Sequence, residues 1–341
     1  MYETTKEEMK RLVSIGKITG ISYGFMTPRG REEGVIGLNQ VVPEKIELSP
    51  NTLYDMASLT KVIGTTTIIL QLLESGEIQL DSPLHRYLPE FRDKEVTIRE
   101  LLTHTSDINP FIPNRHELNQ EELREKILAL PSGEKRGKKV SYTDTGTILL
   151  GFLIEKIYGQ PVQEVMAQRI LKPLEMSESC FYQVKDKEVA PTEITPNRQL
   201  IKGYVHDPKA FVLKEYCGSA GLFSNVRDTM KFANMMLSKG HLVGNPFLKE
   251  ETVLNLLRDQ TLGHDKPRSL GWDLLPYNGR YLLYHTGYTG TFMILDIEEG
   301  EGFIFLSNRV HPVDNREEYL ELRDHLIQIY LSERQNKETM V

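Results

Sequence analysis

Apolar residues change their spacing several times along the chain, and each change predicts an element. Near the start, Met9, Leu12 and Val13 share one helical face behind Thr5-Lys6-Glu7-Glu8, a capping-box pattern, and Gly16 ends the run. Ile21, Tyr23 and Phe25 then alternate with smaller or polar residues; Pro28-Arg29-Gly30 supplies a turn, and residues 34–38 predict a second strand. Across residues 58–73, Val62, Ile63, Ile69, Leu70 and Leu73 predict a long, mostly buried helix that stops at Ser75-Gly76. Thr97-Ile98-Arg99-Glu100 is a second capping box, opening a helix that holds Leu101, Leu102 and His104, and residues 120–130 and 145–158 read as further helices. Residues 281–286, 291–297 and 302–306 are short apolar runs separated by Gly-containing turns, the pattern of an antiparallel meander. Tyr319, Leu322, Leu326, Ile329 and Tyr330 close the chain at helical spacing.

Strands at both ends with helices between them imply an α+β chain. The expected architecture is an antiparallel sheet built from both termini and flanked by helices, with a mainly helical region inserted into it. Residues 1–80 and 275–341 would form the sheet region, and residues 81–274 the helical one.

Composition narrows the partners more than the fold. With 341 residues, 39% of them hydrophobic and 26% charged, the chain is of the globular class. A net charge of −7 argues against nucleic acid or an anionic membrane surface as partner and leaves a small molecule or peptide substrate open. The first residues, with Glu3, Lys6, Glu7, Glu8, Lys10 and Arg11, offer no apolar leader core and no membrane segment, which predicts a cytoplasmic location. Cys180 and Cys217 lie far apart without a CxxC pair, so both are expected to be buried thiols. No His/Cys spacing suggests a metal site, and no cofactor is expected.

Ser58-Leu59-Thr60-Lys61 puts a hydroxyl and an amine one helical turn apart. A serine hydroxyl is a poor nucleophile until a base takes its proton, and a helix start adds a favourable dipole and a backbone N–H for an oxyanion. Two later motifs follow in order. Tyr142-Thr143-Asp144 is similar to the Tyr-x-Asn element of class C β-lactamases, and His285-Thr286-Gly287 to the Lys-Thr-Gly element of the same superfamily. Residues 101–106, 173–176 and 218–224 are similar to its connecting segments, so the chain resembles β-lactamase-related serine hydrolases, penicillin-binding proteins and esterases from about residue 7 to about residue 332.

That resemblance implies a β-lactamase/transpeptidase-like fold and an acyl-enzyme on Ser58, with Lys61 and Tyr142 sharing the proton. A phenol has a reference pKa of about 10, so Tyr142 can act as base only if Lys61 and His285 stabilise its phenolate; either residue could be the base. The resemblance also implies an oxyanion hole made by the N–H groups of Ser58 and Tyr288, and a substrate-binding strand edge at Thr286 and Gly287. Two positions depart from the pattern. Asp144 is an acceptor-only carboxylate where an amide is usual, and His285 replaces a permanent cation by a group that titrates near neutrality. The expected activity is therefore on esters or D-amino-acid peptide and amide bonds, with a low-turnover penicillin-binding sensor or a β-lactamase as alternatives. Activity on carboxylate-bearing substrates is expected to fall as His285 loses its proton.

Several residues have a plainer reading. His104 is expected to be a hydrogen-bonded structural histidine, and Asp55 a turn or helix-start residue. His206-Asp207 reads equally as structural or as a pocket border, and Tyr54, Tyr216 and Tyr288 as a substrate wall or as core.

Overall fold

The computed structural model describes residues 1–115, 117–184, 188–242 and 245–339. A short helix, α1 (Glu3–Ser14), leads into β1 (Gly20–Thr27), β2 (Gly30–Gln40) and β3 (Ile46–Glu47). A small antiparallel sheet joins β4 (Tyr54–Asp55), β5 (Cys180–Phe181) and β8 (Leu222–Ser224); β6 (Ile194–Thr195) with β7 (Gln199–Leu200), and β9 (His241–Leu242) with β10 (Asn245–Pro246), form two ribbons. The last strands are β11 (Asp273–Tyr277), β12 (Arg280–Gly287), β13 (Thr291–Asp296) and β14 (Glu301–Ser307). These join the first three in one antiparallel seven-stranded sheet of order β11-β12-β13-β14-β1-β2-β3, so both ends of the chain build it.

The period of two expected of strands sorts the apolar runs onto two faces. Phe292 and Ile294 of β13, with Phe303 and Phe305 of β14, join one core with Met9, Leu12 and Tyr330. Their neighbours Met293, Leu295, Ile304 and Leu306 join the other. The first face carries α1 and the closing helix α10 (Arg316–Thr339). The second carries α8 (Val226–Leu237), which lies so close that a Cβ on Gly24 would stand 2.9 Å from Met230 Sδ.

Between the two groups of strands lie α2 (Thr67–Ser75), α3 (Ile98–Leu102), α4 (Gln120–Leu128), α5 (Thr145–Tyr158), α6 (Val162–Met166), α7 (Pro208–Leu213), then α8 and α9 (Glu250–Asn255). α5 is buried from Thr145 through Glu155, as a helix that is apolar all round must be. Among the described residues no helix is long and apolar enough to cross a membrane.

Several local expectations change. Thr5 does not cap α1, which starts at Glu3; its N–H and hydroxyl both bond Glu333 of α10 at 2.9 Å, a tertiary partner that outcompetes the local one. The helix after Ser58 begins at Leu59 and runs through a π-helical stretch, Lys61–Thr66, before α2 ends at left-handed Gly76. The Thr97/Glu100 capping box forms, yet α3 stops at Leu102, and His104 lies beyond it with φ 55°. Cys217 is buried, whereas Cys180 is only half-buried on its short strand.

α10 is fastened to the sheet by charge as well as by apolar contact. Asp296 is buried and accepts from Arg334 Nη2 at 2.5 Å and from Arg280. Asp296→Ala takes from buried Arg334 one of its carboxylate partners while Glu301 stays at 2.8 Å, so it is expected to cost about 1.5–3 kcal/mol, the worth of a hydrogen bond to a charged group. Urea unfolding should show the lower midpoint with an unchanged slope.

Candidate active site

Ser58 sits at the mouth of a cavity of about 330 Å³ between the helical region and β12, lined also by Tyr142, Arg268, His285, Thr286, Gly287 and Tyr288. The turn before it is strained, with Ala57 at φ 44°. Asp55 holds that turn, accepting from Ala57 N–H at 2.9 Å and, with its other oxygen, from His206 N–H at 2.7 Å. It is thus the turn residue its position suggested. The residues after β12 hold the turn from the other side: Thr289 Oγ1 donates to Asp55 O at 2.7 Å and Thr291 Oγ1 to Met56 O at 3.2 Å. Gly287 is needed where they meet, since a Cβ there would lie 2.1 Å from Thr291 Oγ1 and 2.6 Å from Met56 O.

Lys61 is almost fully buried, and its ammonium donates to Ser58 Oγ at 2.7 Å, Asp144 Oδ1 at 2.8 Å and Ser219 O at 3.1 Å. An ammonium has three hydrogens, so its donors are all used. Burial opposes its charge, but the Asp144 carboxylate and then Tyr142 outweigh burial, and its pKa is raised above the ordinary lysine value. Asp144 shows the converse. Burial would raise it, yet Lys61 and Lys209, whose Nζ stands 3.0 Å from Oδ2, hold it well below the usual carboxylate range. Asp144, which stands where the superfamily's substrate-binding amide is usual, is engaged as a counter-ion between two lysines.

Tyr142 precedes α5 in an extended stretch and is half-exposed. Its ring lies 5.4 Å from Lys61 Nζ and 5.4 Å from Arg268 Cζ. His104 holds it in place: His104 O accepts from Ser141 N–H at 2.8 Å, Nδ1 accepts from Thr143 N–H at 3.4 Å, and the imidazole lies 4.5 Å from the phenol ring, centroid to centroid. Burial, aided by Arg268 and Lys61, keeps His104 neutral, well below the ordinary imidazole pKa. The expected structural histidine therefore belongs to the site as the support of Tyr142.

Residues 285–287 at the end of β12 pair with β13, while β11 reaches only as far as Tyr284. One edge of the His285-Thr286-Gly287 segment is therefore open to the cavity. His285 is buried, and its Nδ1–H donates to Thr286 O at 3.0 Å, which leaves the Nε2 lone pair without a partner among the described residues. Burial pushes its pKa down to about 3; Asp273 opposes the fall, and Arg268 and Lys61 add to it. The expectation of a histidine charged near neutrality is thus overturned, because the ring is shut away from water among cations.

The N–H groups of Ser58 and Tyr288 have no acceptor among the described residues, as an oxyanion hole requires. Tyr288 is positioned by its hydroxyl, which donates to Asp314 at 2.5 Å, by Arg309 Nε, which donates to its carbonyl at 2.8 Å, and by the stacked ring of His206 at 5.6 Å. His206 backs Tyr288 and does not line the cavity. Tyr54 is core, bonded to Ser22 at 2.9 Å, and Tyr216 lines a separate groove with Arg124 and Glu155.

Three site residues lay outside the sequence motifs. Arg268 is buried in the cavity wall; Nη1 bonds Asp273, but Nε and Nη2 have no acceptor among the described residues. Lys209 and the Ser219 carbonyl are the others. No spacing signals them, since each meets its partner through the fold; the only cue was that Ser219 sits within residues 218–224, a segment that resembles the superfamily.

A neutral His285 is checked by NMR. Its ring resonances are expected to stay flat between about pH 5 and about pH 8. Because the unfolded chain binds more protons than the folded one between pH about 3 and the unperturbed value of about 6.5, stability should fall as pH drops through that window. A folded-state titration near 6.5 would contradict the burial.

A protein of Escherichia coli (strain K12) ascribed the name D-alanyl-D-alanine carboxypeptidase is 27% identical over 318 residues, covering 80% of this chain and 72% of its own. The N-acetylmuramyl-L-alanine amidase of Bacillus subtilis (strain 168) is 26% identical over 324 residues, 82% of this chain and 73% of that one. In fold, a β-lactamase/D-alanine carboxypeptidase from Pseudomonas syringae superposes with a TM-score of 0.76 at 18% identity, covering 95% of this chain and 97% of the other. The family profile described as Beta-lactamase matches residues 25–327, a span that takes in the nucleophile turn, the Tyr142 stretch and the free end of β12: this chain belongs to the β-lactamase family of serine hydrolases.

Proposed function

We propose that the chain cleaves an ester or amide through an acyl-enzyme on Ser58, and that it favours substrates with a free carboxylate beside the scissile bond, as in peptides ending in a D-amino acid. The observation that carries the reading is the 2.7 Å contact of Lys61 Nζ with Ser58 Oγ, inside a cavity bounded by Tyr142 and an open strand edge.

Ser58 Oγ attacks the carbonyl carbon while its proton passes to the Tyr142 phenolate. Lys61 keeps its charge, holding Ser58 Oγ by a hydrogen bond and acting on the phenol through its charge, 5.4 Å from the ring, and this reading gives the base role to Tyr142. The oxyanion is met by the N–H groups of Ser58 and Tyr288. The bond to the leaving group breaks, Tyr142 returns the proton to it, and the acyl group stays on Ser58. Water then repeats the sequence, releasing the acid and restoring the serine.

The carboxylate preference rests on Arg268, which takes the place that a neutral His285 cannot fill. Its Nε and Nη2, buried in the wall and without an acceptor among the described residues, would match a carboxylate that reached them. Lys266, Arg309, Arg316 and Arg323 also line the cavity, with Asp273 its single acid among the described lining residues, in a chain whose net charge is −7. The carboxypeptidase and amidase names of the two relatives favour the same chemistry.

A chromogenic neutral ester, a cephalosporin and a D-Ala-D-Ala peptide are the test, followed by turnover and intact mass. Ser58→Ala is expected to lose turnover and adduct together; turnover that survives would sink the mechanism. A lasting adduct without turnover would instead favour the sensor. Arg268→Met is expected to lower kcat/KM on the peptide by about 10- to 100-fold, the worth of a hydrogen bond to a charged group, and to spare the neutral ester.

A further inference from the structure

We propose that Lys209 is a positioning residue for the Ser58 reaction: it takes one oxygen of Asp144 and so offsets the negative charge that this aspartate brings to the Lys61–Tyr142 pair. The proposal rests on the roles given above to Ser58, Lys61 and Tyr142.

Lys209 is the second residue of α7, a short helix started by Pro208 and capped by Asp207, which accepts from Ala210 N–H at 2.7 Å. Its side chain is nearly buried and crosses to Asp144, where Nζ stands 3.0 Å from Oδ2 while Lys61 Nζ stands 2.8 Å from Oδ1. Burying a second lysine beside the nucleophile is costly unless its charge is needed and paired. The charge count supplies the need. With an amide at position 144, Lys61 alone would leave the cluster one positive charge. Aspartate cancels that charge, and Lys209 restores it.

The other groups around Tyr142 do not supply the same compensation. Arg268 is paired with Asp273, while His104 and His285 are held neutral by burial. Ser58 is uncharged before attack. The charge that Tyr142 meets through Lys61 is thus set largely by how completely Asp144 is occupied elsewhere. An unoffset carboxylate would hold the Lys61 ammonium tighter and oppose proton removal from Tyr142, so the pair would become competent only at higher pH.

The test is the pH profile of kcat/KM on the chromogenic ester. Lys209→Met is expected to move the acidic limb upward by about one pH unit, a loss of about tenfold on that limb. Asp144→Asn, which leaves two lysines unopposed, should move it the opposite way, and the double variant should return it toward the wild-type position. Lys209→Arg should keep the limb in place. A residue that merely clips α7 to the Tyr142 stretch would lower activity in both single variants without opposite shifts, and that result overturns the proposal. If Lys209→Met does not fold, Asp144→Asn and Lys209→Arg still decide, because an unmoved limb in the first or a moved limb in the second overturns it. Turnover retained by Ser58→Ala would sink the nucleophile reading, whereas unshifted limbs beside an inactive Ser58→Ala would sink only the role of Lys209.

Discussion

The ammonium of Lys61 is the point on which the rest of the site depends. A buried cation is tolerated only when its hydrogens are all matched, and the three acceptors here come from separate stretches of chain. Ser58 precedes it by one turn, Asp144 opens α5, and Ser219 lies in the loop before β8. Satisfying one lysine therefore brings the nucleophile, the Tyr142 stretch and the wall behind them to a common place. The same saturation holds the charge of Lys61 in place beside the Tyr142 ring.

A second constraint is the contact between the sheet and the nucleophile turn. The chain after β12 hydrogen-bonds the backbone of Asp55 and Met56, and Gly287 lets it come that close. Ser58 is thus referenced to the rigid sheet even though it stands at the start of a helix. Ser58 follows the turn on one side of this seam and Tyr288 follows β12 on the other, so the placement of each depends on these contacts.

Burial reassigns charge in this site. His285 is neutral because it is enclosed among cations, and the unpaired guanidinium face belongs to Arg268, from the loop before β11. Asp144 is ionised because two lysines grip it. The two departures from the usual motifs thus have their consequences in residues that no motif contains.

Much was legible without the fold. Alternation marked Ile21, Tyr23 and Phe25 as strand and Gly-bounded apolar runs marked the final meander, because these are properties of neighbouring residues, while Ser58, Lys61 and Tyr142 were singled out by their resemblance to the family's motifs. Errors fell where a distant partner won: Thr5 bonds α10 instead of capping α1, and His104 leaves its helix to hold Tyr142. The sequence by itself determined the α+β architecture and the family to which the chain belongs. Only the tertiary structure decided which of the site's side chains are buried and paired, the contacts of His104 with the Tyr142 stretch and of Lys209 with Asp144, and the Arg268 donors that lack an acceptor among the described residues, because desolvation and ion pairing depend on which distant residues the fold brings within a few ångströms.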